Sequence, residues 1–477
     1  MKRDTYFFEG AFVTVNMGAS QRHHVVIIGT GFGGLFAAKQ FAHRKDVLVT
    51  IIGKTDHHLF QPLLYQVATG ILSEGEIAPP IREILKHQRN ARVILGLVDD
   101  IDPQAKTVTS RLHDNTTVTP YDTLIVASGA SQSYFGNDHF ATYAPGMKSI
   151  DDALELRSRI FNSFERAELT EDPVERDRLL TFVVVGAGPT GVEMAGQIRE
   201  LSSHTLAKEF RKIDSRQAKV ILVDGAKEVL ANFGDKLGSK ARRSLQDLGV
   251  DVRLGGFVTH IDGDGVDIKY ADGRTEHIEA ATKVWAAGVQ GNRLGRVLAD
   301  KTPAEVDRTG RVIVKPDLTI EGHPEIFVVG DLMAFEGVPG VAQGAIQSGG
   351  WAARTVIARL DGNEKRATQP FTYNDKGSMA IISKYRGVAN VKGFKFSGFI
   401  AWSAWLAIHL LFLVGFKSRV STLIRWAITF LSDDRSERVT THQQMVGRLA
   451  MRQLGQGVSG SLLRGEEPRS KGERIDN

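Results

Sequence analysis

Two short glycine-rich segments have the residue spacing that binds the phosphates of a dinucleotide. They read Gly29-Thr30-Gly31-Phe32-Gly33-Gly34 and, 157 residues later, Gly186-Ala187-Gly188-Pro189-Thr190-Gly191. In each segment the first glycine permits a tight turn, the second lets the backbone approach a pyrophosphate, and the third lets helix and strand pack closely. Each follows a β-branched run and opens a helix, whose N-terminus adds N–H donors and a positive dipole end. After the first loop this helix is predicted over Leu35–His43. The two loops predict two bound dinucleotides.

The residues that end the next strand differ between the two loops. After the second loop, Asp224 ends the run Val220–Val223. A carboxylate there accepts from ribose hydroxyls and repels a 2′-phosphate, which favours NADH over NADPH. The alternative is an ordinary turn acid before Gly225. After the first loop, Gly53 stands where the acid is expected. For the following Lys54, contact with an adenosine group and a solvated surface role are both open.

The chain of 477 residues contains no cysteine. This excludes disulfides, thiolate-ligated zinc, iron–sulfur clusters and a cysteine nucleophile, and no metal site is expected. Two dinucleotides without redox-active thiols indicate one bound flavin and one exchanging nicotinamide, because hydride chemistry needs a cofactor that stores electrons. With 42% hydrophobic and 24% charged residues the composition is that of an ordinary globular protein.

The order of strand-like and helix-like runs predicts an α/β fold with two doubly wound, Rossmann-like domains. Strand-like runs at 93–97 and 123–126 belong with the first glycine loop, and runs at 252–254 and 283–286 with the second. The run 325–329 returns to the first domain, so the second domain is inserted in the first. The predicted segments are an N-terminal tail (1–22), the flavin-binding domain in two parts (23–150 and 301–391), an NADH-binding domain (151–300), membrane-anchoring helices (392–431) and a polar C-terminal tail (432–477).

The basic excess of the chain lies in one segment near the C-terminus. The formal net charge is +5, but residues 376–432 hold eight Lys and Arg and no Asp or Glu, which leaves −3 for the rest. Within that window, Gly398–Phe416 has no charged residue. As one helix it would span about 28 Å, close to the hydrocarbon thickness of about 30 Å. A single transmembrane helix over 398–416 is therefore one interpretation.

Two other features favour helices that lie in the membrane interface. Aromatic rings recur at spacings of three and four along the whole segment, whereas spanning helices concentrate Trp at their ends; the residues are Phe399, Trp402, Trp405, His409, Phe412 and Phe416. The next run, Val420–Leu431, is too short to span and has one apolar face. Lys392, Lys395, Lys417 and Arg419 flank the pair and would attract anionic lipid. The hypothesis is a monotopic anchor, and the alternative is a core helix of a soluble domain.

In combination, these motifs resemble the type II NADH:quinone oxidoreductases, a family of flavoproteins with two dinucleotide-binding domains in the glutathione-reductase-like arrangement. The resemblance covers about Val25 to Phe430. Besides the two loops it rests on four further segments, Phe60–Gly70, Val284–Val289, Phe327–Asp331 and Ala342–Gln347. Any one of these pieces is unspecific, but the combination is specific.

The resemblance implies the contacts of both dinucleotides. Those of FAD are Gly29, Thr30, Gly31, Phe32, Gly33, Gly34, Lys54, Val98, Ser128, Gly330, Asp331, Ala342 and Gln343. Those of NADH are Gly186, Gly188, Pro189, Thr190, Gly191, Glu193, Asp224, Ala287 and Gly288. Asp331 would bind the ribityl or phosphate region, and Ala342 and Gln343 would approach the isoalloxazine edge.

Three of the implied positions carry catalysis. Gln343 and Gln347, four residues apart on one helix face, would lie at the flavin–quinone junction, with local hydrogen bonding as the alternative. Glu193 is predicted in the first turn of the helix after the second loop, and it would lie near the nicotinamide–flavin contact, where it would orient NADH or relay protons. The alternative is a carboxylate that the helix dipole simply stabilises. Packing or surface roles are expected for His57 and His58. The segment Phe60–Gly70 is either a core loop or part of a quinone tunnel.

The implied function is FAD-dependent electron transfer from NADH to a membrane quinone in the respiratory chain. No chain of intramembrane carboxylates is present, so no proton pumping is expected. The expected partners are NADH, quinone and a lipid surface contacted through 392–431, at the cytoplasmic face of the cell membrane; a homodimer is left open and nucleic acid is not expected. A reductase of a soluble electron carrier is the alternative. Sulfide:quinone reductases depend on cysteines and are excluded.

Overall fold

The first parallel sheet is built from short β-branched runs that are buried on both faces, as in sheets covered by helices on either side. The computed structural model describes residues 22–439 and 441. Up to residue 149 its strands are β1 (His23–Ile28), β2 (Val47–Gly53), β3 (Ala91–Leu95), β4 (Leu97–Asp102), β5 (Thr107–Leu112), β6 (Asn115–Pro120), β7 (Thr123–Val126) and β8 (Ala130–Gln132). The helices of this part are α1 (Phe32–Gln40), α2 (Leu64–Ala68), α3 (Glu74–Ile77) and α4 (Ile81–Leu85).

A second parallel sheet follows in the chain. Its part of the chain contains helices α5 (Ile150–Leu169), α6 (Pro173–Leu179), α7 (Pro189–Glu200) and α8 (Asp235–Leu248). The strands are β9 (Thr181–Val185), β10 (Lys219–Asp224), β11 (Val250–Leu254), β12 (Gly256–Ile261), β13 (Gly265–Tyr270), β14 (Thr275–Glu279), β15 (Thr282–Trp285) and β16 (Val289–Gly291). The sheet order is β11-β10-β9-β15, with every pair parallel. Strand β9 therefore lies where the strand order reverses, which is where such sheets bind ligands.

The chain then returns to the first sheet. The elements are α9 (Leu294–Lys301), β17 (Val312–Ile313), β18 (Thr319–Ile320), β19 (His323–Val328), β20 (Met333–Ala334), α10 (Ala342–Leu360) and α11 (Glu364–Ala367). The first sheet has the order β18-β19-β7-β1-β2-β3, with β19 parallel to β7. The second dinucleotide fold is thus inserted in the first, and the predicted fold class is confirmed. Strands β8 and β16, which pair antiparallel, form the two connections between the folds.

The last part of the described chain is a small sheet followed by two helices. Strands β21 (Ser378–Ser383), β22 (Arg386–Val391) and β23 (Phe394–Gly398) precede helices α12 (Phe399–Phe412) and α13 (Phe416–Ser432). The prediction of one helix over 398–416 is wrong, because α12 ends at Phe412 and the chain turns at Gly415, whose φ is +95°. Across residues 22–439, no helix has both the length and the apolar character needed to cross a membrane.

The middle of the predicted aromatic stripe faces inward, whereas Phe399, Phe412 and Phe416 at its ends are exposed. Trp402 and Trp405 are 8% and 1% exposed and belong to the main hydrophobic core. The exposed residues of α12 are largely aliphatic, for example Ile400 and Leu411, with Phe399 and Phe412 at the two ends. The alternative of a core helix therefore describes one face of α12, and the opposite face remains apolar and exposed.

Two predicted boundaries move for local reasons. The first helix begins at Phe32 instead of Leu35, because Gly31 is still extended and the chain enters the helix directly after the glycine loop. It ends at Gln40 instead of His43. The predicted N-terminal tail, apart from residue 22, and the polar tail beyond residue 439, apart from residue 441, lie outside the described residues.

Candidate functional site

The first glycine loop is shaped by backbone contacts that leave no room for side chains. A Cβ on Gly34 would overlap the carbonyl oxygen of Gly29, and a Cβ on Gly29, whose φ is +110°, would overlap the carbonyl of Ala127. Gly31, in contrast, faces open space. In the described structure α1 begins at Phe32 without a side-chain cap, so its first N–H groups are free to bind an anion.

The second glycine loop repeats this geometry. A Cβ on Gly191 would overlap the carbonyl oxygen of Gly186, while Gly188 faces open space. Asp224 holds the loop from the next strand: its Oδ2 accepts from the N–H of Ala187 at 2.5 Å and its Oδ1 from the N–H of Ala226 at 2.7 Å. The turn role considered for Asp224 is therefore real, and its carboxylate also lies on the wall of the cavity described next.

Both loops open into one continuous cavity, here called the chamber, with a volume of about 1970 Å³. Its wall includes most of the predicted dinucleotide contacts, namely Gly29, Thr30, Gly31, Phe32, Gly33, Lys54, Val98, Ser128, Gly330, Asp331, Ala342, Gln343, Gly188, Pro189, Thr190, Glu193 and Asp224. Gly34, Gly186 and Gly191 pack behind the wall, as their structural role requires. The remaining two predicted contacts, Ala287 and Gly288, have their carbonyl oxygens hydrogen-bonded by the side-chain Nε2 of Gln132, at 2.8 and 2.6 Å.

The first half of the chamber fits a flavin dinucleotide. Asp331 follows β19 at its carboxyl end, and burial raises the pKa of its carboxyl while Lys148 and Arg311 oppose that shift. The hydroxyl of Ser128 is buried with no hydrogen-bond partner among the described residues, so a bound group could satisfy it. Together with the open face of Gly31, these groups offer donors and an acceptor to phosphate and polyol oxygens.

Glu193 lies on the chamber wall with its carboxyl almost completely buried. It is the fifth residue of α7, beyond the first turn, so its predicted position in that turn is wrong and the helix dipole acts on it only weakly. Burial raises its pKa well above the ordinary range, opposed only by a 3.4 Å hydrogen bond from the N–H of Ile381. A carboxyl with a raised pKa keeps its proton to higher pH than an ordinary one, so Glu193 can hold or donate a proton at the chamber wall.

The two glutamines of α10 share one face of the helix, with Nε2 of Gln347 donating to Oε1 of Gln343 at 3.5 Å, but they differ in their relation to the chamber. Gln343 lies on the chamber wall. Gln347 is held behind it by two 3.0 Å hydrogen bonds with the backbone of Asn374, one donated by its Nε2 and one accepted by its Oε1. Local hydrogen bonding, the alternative for this pair, is present between Gln347 and Gln343, whereas the bonds to Asn374 join residues 27 apart.

The two adjacent histidines have structural surroundings, as expected. His58 is 0% exposed; burial lowers its pKa to about 4, and its Nδ1 lies 2.9 Å from the carbonyl oxygen of Thr30. A neutral ring donating to this oxygen braces the first glycine loop. His57 pairs with Asp56 at 3.1 Å near the surface.

The C-terminal helices contribute a wall that the motif analysis did not assign. The chamber wall includes Trp405, Ile408, His409 and Phe412 of α12 together with Phe60 and Pro62, and the rings of Phe60 and His409 meet edge to face with centroids 6.2 Å apart. His409 stacks on Trp405 with ring centroids 3.8 Å apart, its Nδ1 lies 2.7 Å from the Trp405 carbonyl oxygen, and burial lowers its pKa to about 4. The spacing of the aromatic residues predicted that they share one helix face, but it did not predict that this face borders a cavity.

A family model and two curated relatives match most of the chain. The family model described as pyridine nucleotide-disulphide oxidoreductase matches residues 23–349. A curated relative from Mycobacterium tuberculosis, type II NADH:quinone oxidoreductase Ndh, is 57% identical over 436 residues, which is 91% of this chain and 94% of the relative. A second protein of that organism, type II NADH:quinone oxidoreductase NdhA, is 56% identical over 94% of this chain and 95% of its own length.

Solved structures share the fold at lower sequence identity. The structure of NDH2 from Plasmodium falciparum in complex with NADH has a TM-score of 0.79 and 20% identity, covering 86% of this chain and 98% of that one. The sulfide:quinone oxidoreductase of Aquifex aeolicus has a TM-score of 0.66 at 20% identity, with coverage of 88% and 96%. At these identities the likeness concerns the fold alone.

Proposed function

This chain belongs to the type II NADH:quinone oxidoreductases, and from that premise we propose that its single chamber brings NADH and quinone to one flavin. The enzyme transfers electrons from NADH to a quinone through FAD, without pumping protons. Bound in this chamber, FAD would supply the redox chemistry, as an acceptor for the hydride of NADH and a donor of two electrons to the quinone. The overall reaction is NADH plus quinone plus one proton, giving NAD⁺ plus quinol.

The observation that carries the proposal is the continuity of the chamber. One cavity is bordered by both glycine loops and by α12 of the C-terminal helices. The loop Gly186–Gly191 and Asp224 bind NADH, and the loop Gly29–Gly34 with Asp331 and Ser128 binds FAD. Gln343 borders the flavin, and the α12 wall with Phe60 receives the quinone ring. These residues act mainly by holding three ring systems in reacting positions.

Glu193 supplies the proton chemistry that the balance requires. Quinol formation consumes one proton beyond the hydride, and the buried carboxyl of Glu193 holds a proton at the chamber wall because burial raises its pKa. The neighbouring Tyr65 is also kept protonated, since burial raises its pKa. We assign Glu193 the role of holding and handing on that proton.

The two half-reactions test the function directly. Without oxygen, NADH is expected to abolish the absorbance of the oxidised flavin, and a soluble quinone analogue is expected to restore it within the turnover time. A flavin that NADH bleaches and quinone does not restore would contradict the quinone assignment. Restoration by a soluble protein carrier but not by quinone would favour the alternative of a soluble-carrier reductase.

A lipid surface is the proposed partner of α13, because this helix packs with its polar face inward. Thr422 is buried, and Trp426 donates its ring N–H to the side chain of Gln66 at 2.7 Å. Arg425 forms an ion pair with Glu76 at 3.3 Å. The opposite face is exposed and aliphatic, through Leu423, Ile424, Ile428 and Leu431, of which Leu431 is 88% exposed. This arrangement supports monotopic docking, and we place it at the cytoplasmic face of the cell membrane; the homodimer stays a prediction.

Replacing Leu423, Ile424 and Ile428 together by Ser is expected to weaken binding to anionic phospholipid vesicles about 10- to 100-fold. Each side chain loses part of the roughly 1.5–3 kcal/mol that full burial provides. Sedimentation with vesicles measures the affinity. Leu169→Ser with Val174→Ser is the matched control, because both side chains are exposed on α5 and α6, away from this face. Equal loss in both variants, or none in the first, would contradict lipid docking by α13.

A further inference from the structure

The chain beyond α13 is held against the protein body. We call Asp433–Val439 the strap. Asp433, with φ +57°, ends the helix and reverses the chain, and its carbonyl oxygen accepts from Thr205 at 2.8 Å. Further along the strap, the N–H of Glu437 donates to the carbonyl of Gly70 at 3.1 Å. Ion pairs at its surface are Lys384–Asp433, Arg425–Glu437 and Arg438–Glu209, at 2.8, 3.0 and 2.6 Å.

Arg435 is the centre of this contact and is only 4% exposed. Its Nη1 donates to the carbonyl oxygen of Thr69 at 2.8 Å. Its Nη2 donates to Gln197, reaching the carbonyl oxygen at 3.3 Å and the side-chain Oε1 at 3.2 Å. A buried guanidinium is costly unless it is hydrogen-bonded and paired, so this arrangement requires both the loop at Thr69 and helix α7 to hold their positions.

The compensating charge lies one turn further along α7. Gln197 also donates its Nε2 to the carboxylate of Glu200, whose other oxygen accepts from the N–H of Lys384 at 2.6 Å. Burial raises the pKa of Glu200, and the nearby Arg435 opposes that shift. Burial in turn lowers the pKa of Arg435 to about 10. The two charges are therefore interdependent, with Gln197 between them.

This cluster lies directly behind the chamber wall. Glu193 and Gln197 are four residues apart on α7 and share one face of the helix. Tyr65, four residues before Thr69 on the segment 60–70, packs its ring against Trp405 with centroids 6.2 Å apart. Arg435 thus joins the end of the lipid-facing helix to two elements, α7 and the segment 60–70, that each contribute side chains to the chamber.

We propose that Arg435 is a positioning residue for quinone reduction, fixing helix α7 and the segment 60–70 against each other through Gln197 and Thr69. The inference rests on the proposed function, since it concerns the quinone side of the same chamber. Removing the guanidinium leaves the Thr69 carbonyl without its donor and Glu200 without its cation, both in a buried setting. The strap then loses its buried side-chain attachment, while its backbone hydrogen bonds to Thr205 and Gly70 and its surface ion pairs remain.

The test compares Arg435→Gln with Arg438→Gln, whose side chain forms an exposed ion pair on the same strap. Stopped-flow absorbance follows loss of the oxidised flavin band with NADH and its return with a soluble quinone analogue, from pH 5.5 to 9. Arg435→Gln is expected to slow the quinone step at least tenfold and the NADH step less than threefold. Arg438→Gln is expected to stay within about twofold of wild type in both steps.

Two further variants separate positioning from a general packing role. Arg435→Gln combined with Glu200→Gln removes both buried charges, and it is expected to recover most of the quinone-step rate and the wild-type pH profile. Arg435→Lys keeps the positive charge but lacks the two-pronged guanidinium, so the rate of its quinone step should fall between those of wild type and Arg435→Gln. This variant takes the place of Arg435→Gln if Arg435→Gln does not fold. Hydrogen exchange of residues 60–70 should be faster in Arg435→Gln and close to wild type in Arg438→Gln.

The outcomes are distinct. Wild-type enzyme whose flavin is not restored by quinone would overturn the proposed function. Normal wild-type turnover, with Arg435→Gln or Arg435→Lys no slower than Arg438→Gln, would overturn this inference alone. A double variant that is no faster than Arg435→Gln would also overturn it, because the charge relation between Arg435 and Glu200 would then carry no part of the effect.

Discussion

Gly191→Ala is expected to slow flavin reduction by NADH at least 100-fold. The added Cβ would overlap the carbonyl oxygen of Gly186, and neither atom can yield without moving α7 away from β9. That movement displaces the uncapped helix N-terminus from the place where the NADH pyrophosphate binds. Stopped-flow absorbance under NADH measures the rate, and dithionite followed by quinone shows whether the other half of the chamber still works.

Gly188→Ala is the matched comparison within the same loop. Its Cβ would enter open space, so thermal stability should stay near wild type. The side chain would instead occupy the approach to the pyrophosphate, and the KM for NADH should rise about tenfold. If Gly191→Ala kept the wild-type rate and KM, the close approach of α7 to β9 would not be what positions NADH.

Glu193→Gln is expected to slow turnover about 100-fold at neutral pH, within the range that general acid–base groups contribute. The variant keeps the shape of the side chain but cannot hand on a proton at the chamber wall. The fall in kcat above the raised pKa of Glu193 should also disappear from the pH profile. Glu165→Gln, an exposed carboxyl on α5, is the control and should follow wild type across the range.

The stability of Glu193→Gln should depend less on pH than that of wild type. Burial raises the pKa of Glu193 above its ordinary value of 4.5, so the folded state binds more protons than the unfolded chain. Stability from this group is present at low pH and is lost as pH rises past 4.5 toward the raised value. Thermal unfolding between pH 5 and 8 should therefore show a smaller decline in the variant; an unchanged decline would contradict a buried, protonated Glu193.

Local residue spacing was enough to predict the fold class and both dinucleotide loops. A glycine is required at 29, 34, 186 and 191 because neighbouring backbone excludes a Cβ, and that requirement is visible in the sequence as a fixed spacing. The order of strands predicted the inserted second domain for a similar reason, since each buried parallel strand is a short β-branched run. The absence of cysteine excluded redox-active thiols and iron–sulfur clusters, which left a flavin and a nicotinamide as the expected redox cofactors. The resemblance to the type II NADH:quinone oxidoreductases is confirmed.

Contacts distant in sequence decided the rest. Periodicity showed that Trp402, Trp405 and His409 share a helix face, but not that the core and the chamber cover it. Spacing put Gln343 and Gln347 on one face, yet the backbone of Asn374 binds only Gln347. Arg435 lies in a polar tail with no motif, 238 residues from Gln197. A sequence records which side chains share a face; which partner covers that face, and so whether it is buried, lipid-facing or part of the site, is settled only when the chain is folded.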